Sequence, residues 1–268
     1  MQETLGILAG LGMLPAACAQ VAKARNMRVV VVSLLPEADV NLSKIADAWR
    51  QISIADLEAI FAFLKAEGVQ KVTMIGKVTK ELLFTGTVKP KPRLLQMLAS
   101  LPDQSDDTIM QGFVRELLSE GMQPLDQTLL LHALMPSAGV LTKRVPTDAE
   151  KKDMELALKM AKEIGRLDVG QTAVVKNLAV MALEAIEGTD ACILRGGKLA
   201  GTGAVIGKAA KPQQDLRFDV PTVGAETIAA MIKVQASALA IEAGKTLLAE
   251  REKTLALADA HGIAIVAL

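Results

Sequence analysis

Apolar positions in this chain fall into short runs divided by glycines, prolines and charged turns, and the spacing inside each run sets the element it predicts. Leu5–Ala9 is a five-residue apolar run that stops at Gly10, the pattern of a strand buried on both faces. Pro15 lies near the start of 14–26, where it suits the first turn of a helix. Valine-rich Arg28–Leu35 reads as a second buried strand. Leu57, Ile60, Phe61 and Leu64 mark one face of a helix over 54–67 that ends at Gly68, and Lys71–Gly76 is a third strand. This β-α-β-α-β alternation with short connections predicts a parallel sheet covered by helices. Right-handed crossovers then place the strand ends, and the loop Gly10–Gly12, along one edge of that sheet.

Helices follow over 91–100, 106–120 and 125–134, the second capped by Ser105 and stopped by Gly121. The stretch 135–146 carries two prolines, a glycine and Lys143-Arg144, and breaks the periodicity. It separates an amino-terminal domain, 1–135, from a carboxy-terminal one, 147–268, with 136–146 as linker. Thr147-Asp-Ala-Glu150 is a capping box that opens a long amphipathic helix closing at Gly165. Beyond it the pattern is mixed: strands over 172–175, 178–181, 201–208, 239–241 and 263–266, and helices over 190–194, 225–235 and 251–261. The fold class is therefore α/β in two domains, a Rossmann-like parallel sheet with helices followed by a mixed α/β domain.

Composition narrows the function classes. Of 268 residues 51% are hydrophobic, with no Tyr, one Trp, five Phe and twelve Met, so the core is aliphatic and the chain is not disordered. Thirty basic and thirty acidic residues cancel. With no net field and few aromatic stacking platforms, nucleic acid is excluded as a partner. Cys18, Cys192, His132 and His261 show no metal-ligand spacing, which argues against zinc, and both thiols read as buried small hydrophobes. The segment 5–19 imitates a signal peptide, but Met1-Gln-Glu-Thr carries a carboxylate, and no Lys or Arg precedes residue 23. A strand, glycine turn and helix explain it better. No run approaches about 18 apolar residues, so no membrane span is expected and the protein reads as cytoplasmic.

The chemistry gathers in Lys208-Ala-Ala-Lys-Pro-Gln-Gln-Asp-Leu-Arg-Phe-Asp-Val-Pro-Thr-Val-Gly224. Pro212 and Pro221 hold this segment extended, and residues two apart in an extended chain share a face, so Asp215, Arg217 and Asp219 can point one way. Two carboxylates and a guanidinium on one face suit a divalent cation and a phosphate, although a surface loop with a local ion pair has the same composition. A second charged cluster, Glu184, Glu187, Asp190 and Arg195, precedes it. The Gly10-Leu-Gly-Met-Leu-Pro15 loop can cradle a phosphate with backbone amides. It lacks the third glycine of a dinucleotide fingerprint and the Lys-Ser/Thr of a triphosphate loop, and Glu37 and Asp39 lie beyond Pro36, too late for a ribose acid. Asp106 and Asp107 sit at a helix amino terminus, where charge and dipole explain them without function. Lys143 and Arg144 read as a solvated linker.

The segments LDVGQTAVV, EAIEGTDACILRGG and KPQQDLRFDVPTVG, with the opening glycine loop and Ser105-Asp-Asp107, resemble in order and over nearly the whole chain one family. It is the UDP-2,3-diacylglucosamine pyrophosphatase of lipid A biosynthesis, of the type unrelated to calcineurin-like phosphoesterases. This chain departs from the family pattern at Leu11, usually glycine, and at Met13, usually basic, so no phosphate contact is assigned to position 13. The resemblance implies Mg²⁺-dependent hydrolysis of UDP-2,3-diacylglucosamine to UMP and 2,3-diacylglucosamine 1-phosphate. Asp215 and Asp219 would be metal ligands and catalytic groups, and Gly10, Gly12, Thr189, Asp190, Arg195, Lys211 and Arg217 would bind substrate. Acyl chains at about 0.8 kcal/mol per buried methylene imply peripheral contact with the inner membrane surface. A homodimer is left open. The competing readings are a nucleotide-sugar or lipid-binding protein without chemistry and a dinucleotide-linked oxidoreductase.

Overall fold

The computed structural model describes residues 2–36, 38, 41–78, 89–213, 215, 217 and 220–268, with residue 106 described for its main chain only. The chain divides into two compact units, Met1–Leu131 with Leu216–Phe218 and His132–Asp215 with Asp219–Leu268.

The first unit runs β1 (Thr4–Ala9), α1 (Leu14–Ala24), β2 (Arg28–Ser33), α2 (Leu42–Ile45), β3 (Ala48–Gln51), α3 (Leu57–Ala66), β4 (Lys71–Ile75), α4 (Pro92–Ala99), α5 (Asp106–Ser119), β5 (Gln123–Pro124) and α6 (Thr128–Leu131). Its five strands are all parallel, in the order β3-β2-β1-β4-β5, so the direction of winding reverses between β1 and β4. This is the Rossmann-like arrangement. The main core lies between the sheet and α3, α4 and α5: Leu8, Val30, Val32 and Met74 meet Ile60, Leu64, Leu94, Phe113 and Leu117. Asp56 caps α3 by accepting from the Ala59 amide (3.2 Å), and Ser105 caps α5 through the Thr108 amide (3.3 Å). The segment 5–19 is strand, turn and helix. The helix expected over 125–134 is shorter, because the Asp126 carboxylate caps Thr128 (2.7 Å) and the chain tightens into a 3₁₀ turn at His132–Leu134.

The second unit continues with β6 (Gly139–Val140), α7 (Asp148–Arg166), β7 (Thr172–Lys176), β8 (Ala179–Leu183), α8 (Thr189–Ala200), β9 (Val205–Lys208), β10 (Thr222–Val223), α9 (Ala225–Lys233), β11 (Ala238–Ile241), β12 (Leu247–Leu248), α10 (Arg251–Ala260) and β13 (Ala264–Ala267). Its six-stranded sheet has the order β6-β13-β11-β9-β7-β8 and is mixed: β13, β11, β9 and the edge strand β8 run one way, while β6 and β7 run against them. Alternation along the strands sorts side chains by size. Ala173, Val205, Ala238, Ala240 and Ala264 face α7, and Val174, Ile206, Leu239, Ile241 and Ile265 face the opposite core with α8 and α9. Buried Asp153 of α7 accepts from the amides of Asn177 (2.9 Å) and Leu178 (2.6 Å), the two positive-φ residues that turn β7 into β8.

The stretch 136–146, read from sequence as a linker, supplies β6, which pairs with β13, and Thr142, whose hydroxyl accepts from the Ile265 amide (2.9 Å). Arg144 is not a solvated linker residue. Its guanidinium makes two bonds to Glu150 (2.9 and 2.8 Å) and a third to the Ser237 carbonyl, while Glu150 completes the expected capping box with Thr147.

Candidate active site

In the first unit the glycine loop leaves the carboxy end of β1 at the point where the winding reverses, the position at which open α/β sheets take ligands. Its first two amides are spent inside the protein: Gly10 N–H donates to the Ile75 carbonyl (2.8 Å) and Leu11 N–H to the Lys77 carbonyl (2.9 Å). The two loops touch so closely that a β-carbon on Gly10 would stand 2.7 Å from the Lys77 oxygen. Gly12 differs. It takes φ +94°, and a β-carbon there would meet none of the described atoms within 4 Å. Gly10 is thus required by backbone packing, and Gly12 by its left-handed turn into α1. Glu37 and Asp39 lie outside the described residues.

In the second unit a buried polar cluster forms where β9 ends. Lys208, only 6% exposed, donates from Nζ to Thr189 Oγ1 (3.2 Å) and to the Thr222 carbonyl (2.9 Å). Thr189, the first residue of α8, donates its hydroxyl proton to Glu184 Oε1 (3.2 Å) and lies 3.3 Å from Thr172 Oγ1. Glu184 is buried, and its Oε2 accepts from the Gln171 amide (3.4 Å). Antiparallel pairing of Thr172 with Lys208 brings β7 into this group, so the cluster draws on β7, β9, the exit of β8 and the start of α8.

The segment after Lys208 is held at its start. Ala210 N–H donates to Glu242 Oε2 (2.7 Å), and Glu242 also pairs with Lys162 (2.9 Å). Burial works to raise the Glu242 carboxyl, but Lys162 and the Ala210 amide outweigh it and hold the group below its ordinary range. Lys211 pairs with Asp168 (2.6 Å), and Gln213 donates to the Gly165 carbonyl (3.2 Å) at the end of α7. Asp215 is half-buried. Arg217 groups with the first unit, where Nη2 lies 3.4 Å from Gln111 Oε1. Asp219 lies outside the described residues.

Of the predicted site residues, Thr189 joins the buried cluster. Asp190 beside it is exposed. Arg195, on the next turn of α8, donates to the Leu183 carbonyl (2.8 Å) and pairs with Glu187, whose carboxyl it holds below the ordinary range. Among the described residues no three His, Cys, Asp or Glu side chains converge as a metal cage. Mg²⁺ does not need one: one or two carboxylates completed by water and substrate oxygens suffice.

Sequence reasoning gave no role to Lys208, Thr172 or Thr222. The signal was present in Lys208, a lysine closing an apolar strand, but its burial emerges only when β7, β9 and α8 come together. Both cysteines are buried and free, and burial pushes each thiol up to about 12.

Two family models divide the chain: that described as LpxI N-terminal domain matches residues 4–134, and that described as LpxI C-terminal domain matches residues 137–266. A relative from Caulobacter vibrioides, UDP-2,3-diacylglucosamine pyrophosphatase LpxI, is 33% identical over 273 residues, spanning 98% of this chain and 96% of its own. Solved structures are more distant. UDP-glucose 4-epimerase of Thermotoga maritima gives a TM-score of 0.31 at 11% identity over 55% of this chain and 42% of that one. N5-carboxyaminoimidazole ribonucleotide synthetase of the same organism gives 0.25 at 16% identity over 69% and 42%. Neither likeness carries an argument. With both domain models in order and a relative matched from end to end, the chain belongs to the LpxI family.

Proposed function

We propose that this protein hydrolyses the pyrophosphate of UDP-2,3-diacylglucosamine to UMP and 2,3-diacylglucosamine 1-phosphate, a step of lipid A biosynthesis. The observation that carries the reading is the end-to-end match to a pyrophosphatase of that specificity, through both domains. Hydrolysis of a pyrophosphate places charge on nonbridging oxygens and on the departing phosphate, so the site needs positive charge and a group that handles the proton of the attacking water. Asp215 and Asp219 would hold Mg²⁺, which when bound would neutralise phosphate charge, and one of the two would orient or deprotonate the water. Lys211, Arg217 and Arg195 carry the cationic side chains suited to phosphate oxygens, with Asp190 at the start of α8 completing the contacts. Gly10 and Gly12 shape the loop at the sheet edge for the nucleotide end of the substrate.

The glycine loop speaks against a dinucleotide-linked oxidoreductase. Fingerprint loops present their amides to a pyrophosphate, whereas here Gly10 and Leu11 give theirs to Ile75 and Lys77. Among the described residues no helix is long and apolar enough to cross a membrane. Acquisition of a diacylated substrate then calls for peripheral contact with the inner membrane surface, tested by vesicle flotation, and self-association as a homodimer is tested by sedimentation. The deciding experiment supplies purified protein with UDP-2,3-diacylglucosamine and Mg²⁺ and follows UMP. Release of UMP that chelation abolishes is expected. Binding without release would leave a nucleotide-sugar or lipid-binding protein.

A further inference from the structure

We propose that Lys208 is the positioning residue of the segment that carries Asp215 and Asp219: its buried ammonium ties the two ends of that segment together and to the first residue of α8. The inference rests on the hydrolase reading for what the segment does, and on the geometry for how it is held.

Lys208 is the last residue of β9 and Thr222 the first of β10, so the bond from Lys208 Nζ to the Thr222 carbonyl (2.9 Å) spans the thirteen intervening positions in one step. The far end is fixed independently, because β10 pairs with β12 through Thr222 and Leu247. The near end is fixed by the Ala210 amide on Glu242 Oε2 (2.7 Å). The second bond, from Lys208 Nζ to Thr189 Oγ1 (3.2 Å), aligns this neck with α8. A threonine hydroxyl has one proton, and Thr189 directs it to Glu184 Oε1 (3.2 Å). Donors therefore run in one direction, from Lys208 to Thr189 to Glu184, and the network joins a buried cation to a buried carboxylate through a shared hydroxyl. The Thr189 side chain serves this network and has no proton left for a substrate oxygen.

Stability alone does not call for an ammonium here. Buried ions are costly to desolvate, and a packed apolar side chain of the same length often serves a core as well or better. A buried lysine at the neck of the carboxylate segment instead supplies directed bonds that fix where the segment leaves and rejoins the sheet. Outer groups that orient metal ligands or catalytic side chains, when removed, typically lower activity about ten- to hundredfold.

The test uses the full-length protein and three variants, Lys208→Met, Thr189→Val and Thr189→Ser, each checked for a cooperative melt. Turnover of UDP-2,3-diacylglucosamine is measured as kcat and KM, and hydrogen–deuterium exchange is followed across 209–221. Lys208→Met and Thr189→Val should each lower kcat about tenfold or more with little change in KM, and should speed exchange in 209–221. Thr189→Ser, which keeps the hydroxyl, should stay within a few-fold of the parent in both. If Lys208→Met fails to fold, the Thr189→Val and Thr189→Ser pair decides alone. A folded Lys208→Met or Thr189→Val with parental kcat and parental exchange overturns the proposal. An inactive parent protein sinks the hydrolase reading instead, and the exchange measurement still judges the neck.

Discussion

Glu150→Gln tests an ion pair whose arginine the sequence alone assigned to a solvated linker. Glu150 accepts two bonds from Arg144 (2.9 and 2.8 Å) and one from the Thr147 amide (2.8 Å), with 13% of its side chain exposed against 30% for Arg144. Burial works to raise its carboxyl, but Arg144, helped by the Thr147 amide, more than reverses this and takes it from 4.5 to about 2. By linkage a carboxyl depressed that far on folding contributes about 3 kcal/mol at neutral pH, which solvent screening at the partly exposed Arg144 reduces to about 2 kcal/mol. Because the folded-state value is the lower one, the contribution is fully present above about pH 4.5 and is lost as pH falls toward about 2. Glutamine can keep its oxygen on the Thr147 amide and so preserve the capping box, but it removes the charge and turns the acceptor opposite Arg144 Nη2 into an N–H donor. Urea unfolding followed by far-ultraviolet circular dichroism should find Glu150→Gln less stable than the parent by about 2 kcal/mol at neutral pH, with the gap closing through that acid window. A neutral-pH gap below about 0.5 kcal/mol, or one that persists undiminished in acid, would refute the reasoning.

Asp215→Ala and Asp219→Ala should both fold, and at least one should lose about a hundredfold or more in turnover, read as UMP release; near-parental activity in both would move the search to Glu184, Glu187 and Asp190. Gly10→Ala drives a β-carbon to 2.7 Å from the Lys77 carbonyl oxygen, and since the obstacle is backbone it should cost about 1–3 kcal/mol in thermal or urea unfolding. Cys18 and Cys192, buried with thiols pushed up to about 12, should resist alkylation by iodoacetamide near pH 8 in the native protein and react readily in urea; rapid native labelling would contradict their burial.

Local pattern carried the first unit far. β1, α1, β2, α3 and β4 each have a strong hydrophobic signal bounded by a glycine, proline or cap, and a β-α-β-α-β succession has few ways to close. The strand at Ala48–Gln51 left no such signal, because it is an edge strand with Trp49, Arg50 and Gln51 exposed, and what defines it is pairing with β2. In the second unit the capping box of α7 was legible from Thr147 and Glu150, whereas α8 extends from Thr189 to Ala200, well beyond the 190–194 the sequence suggested. The helix buries Cys192, Ile193, Gly196 and Gly197, and the two glycines weaken the local helical signal while fitting the helix against Val174 and Val234.

By itself the sequence determined the two-domain α/β plan, the family and the charged segment in which the chemistry is proposed, because these rest on periodicity, caps and motifs that lie contiguous in the chain. Only the tertiary structure decided what the charges do. Arg144 became a half-buried partner of Glu150 and not a solvated linker residue, and Gly10 spends its amide on Ile75. Lys208 met Thr189, Thr222 and, through the Thr189 hydroxyl, Glu184. The physical reason is common to all three. A polar group's role is set by the partners that replace water around it, and those partners are chosen by strand register and helix packing across long stretches of chain, which residue spacing does not encode.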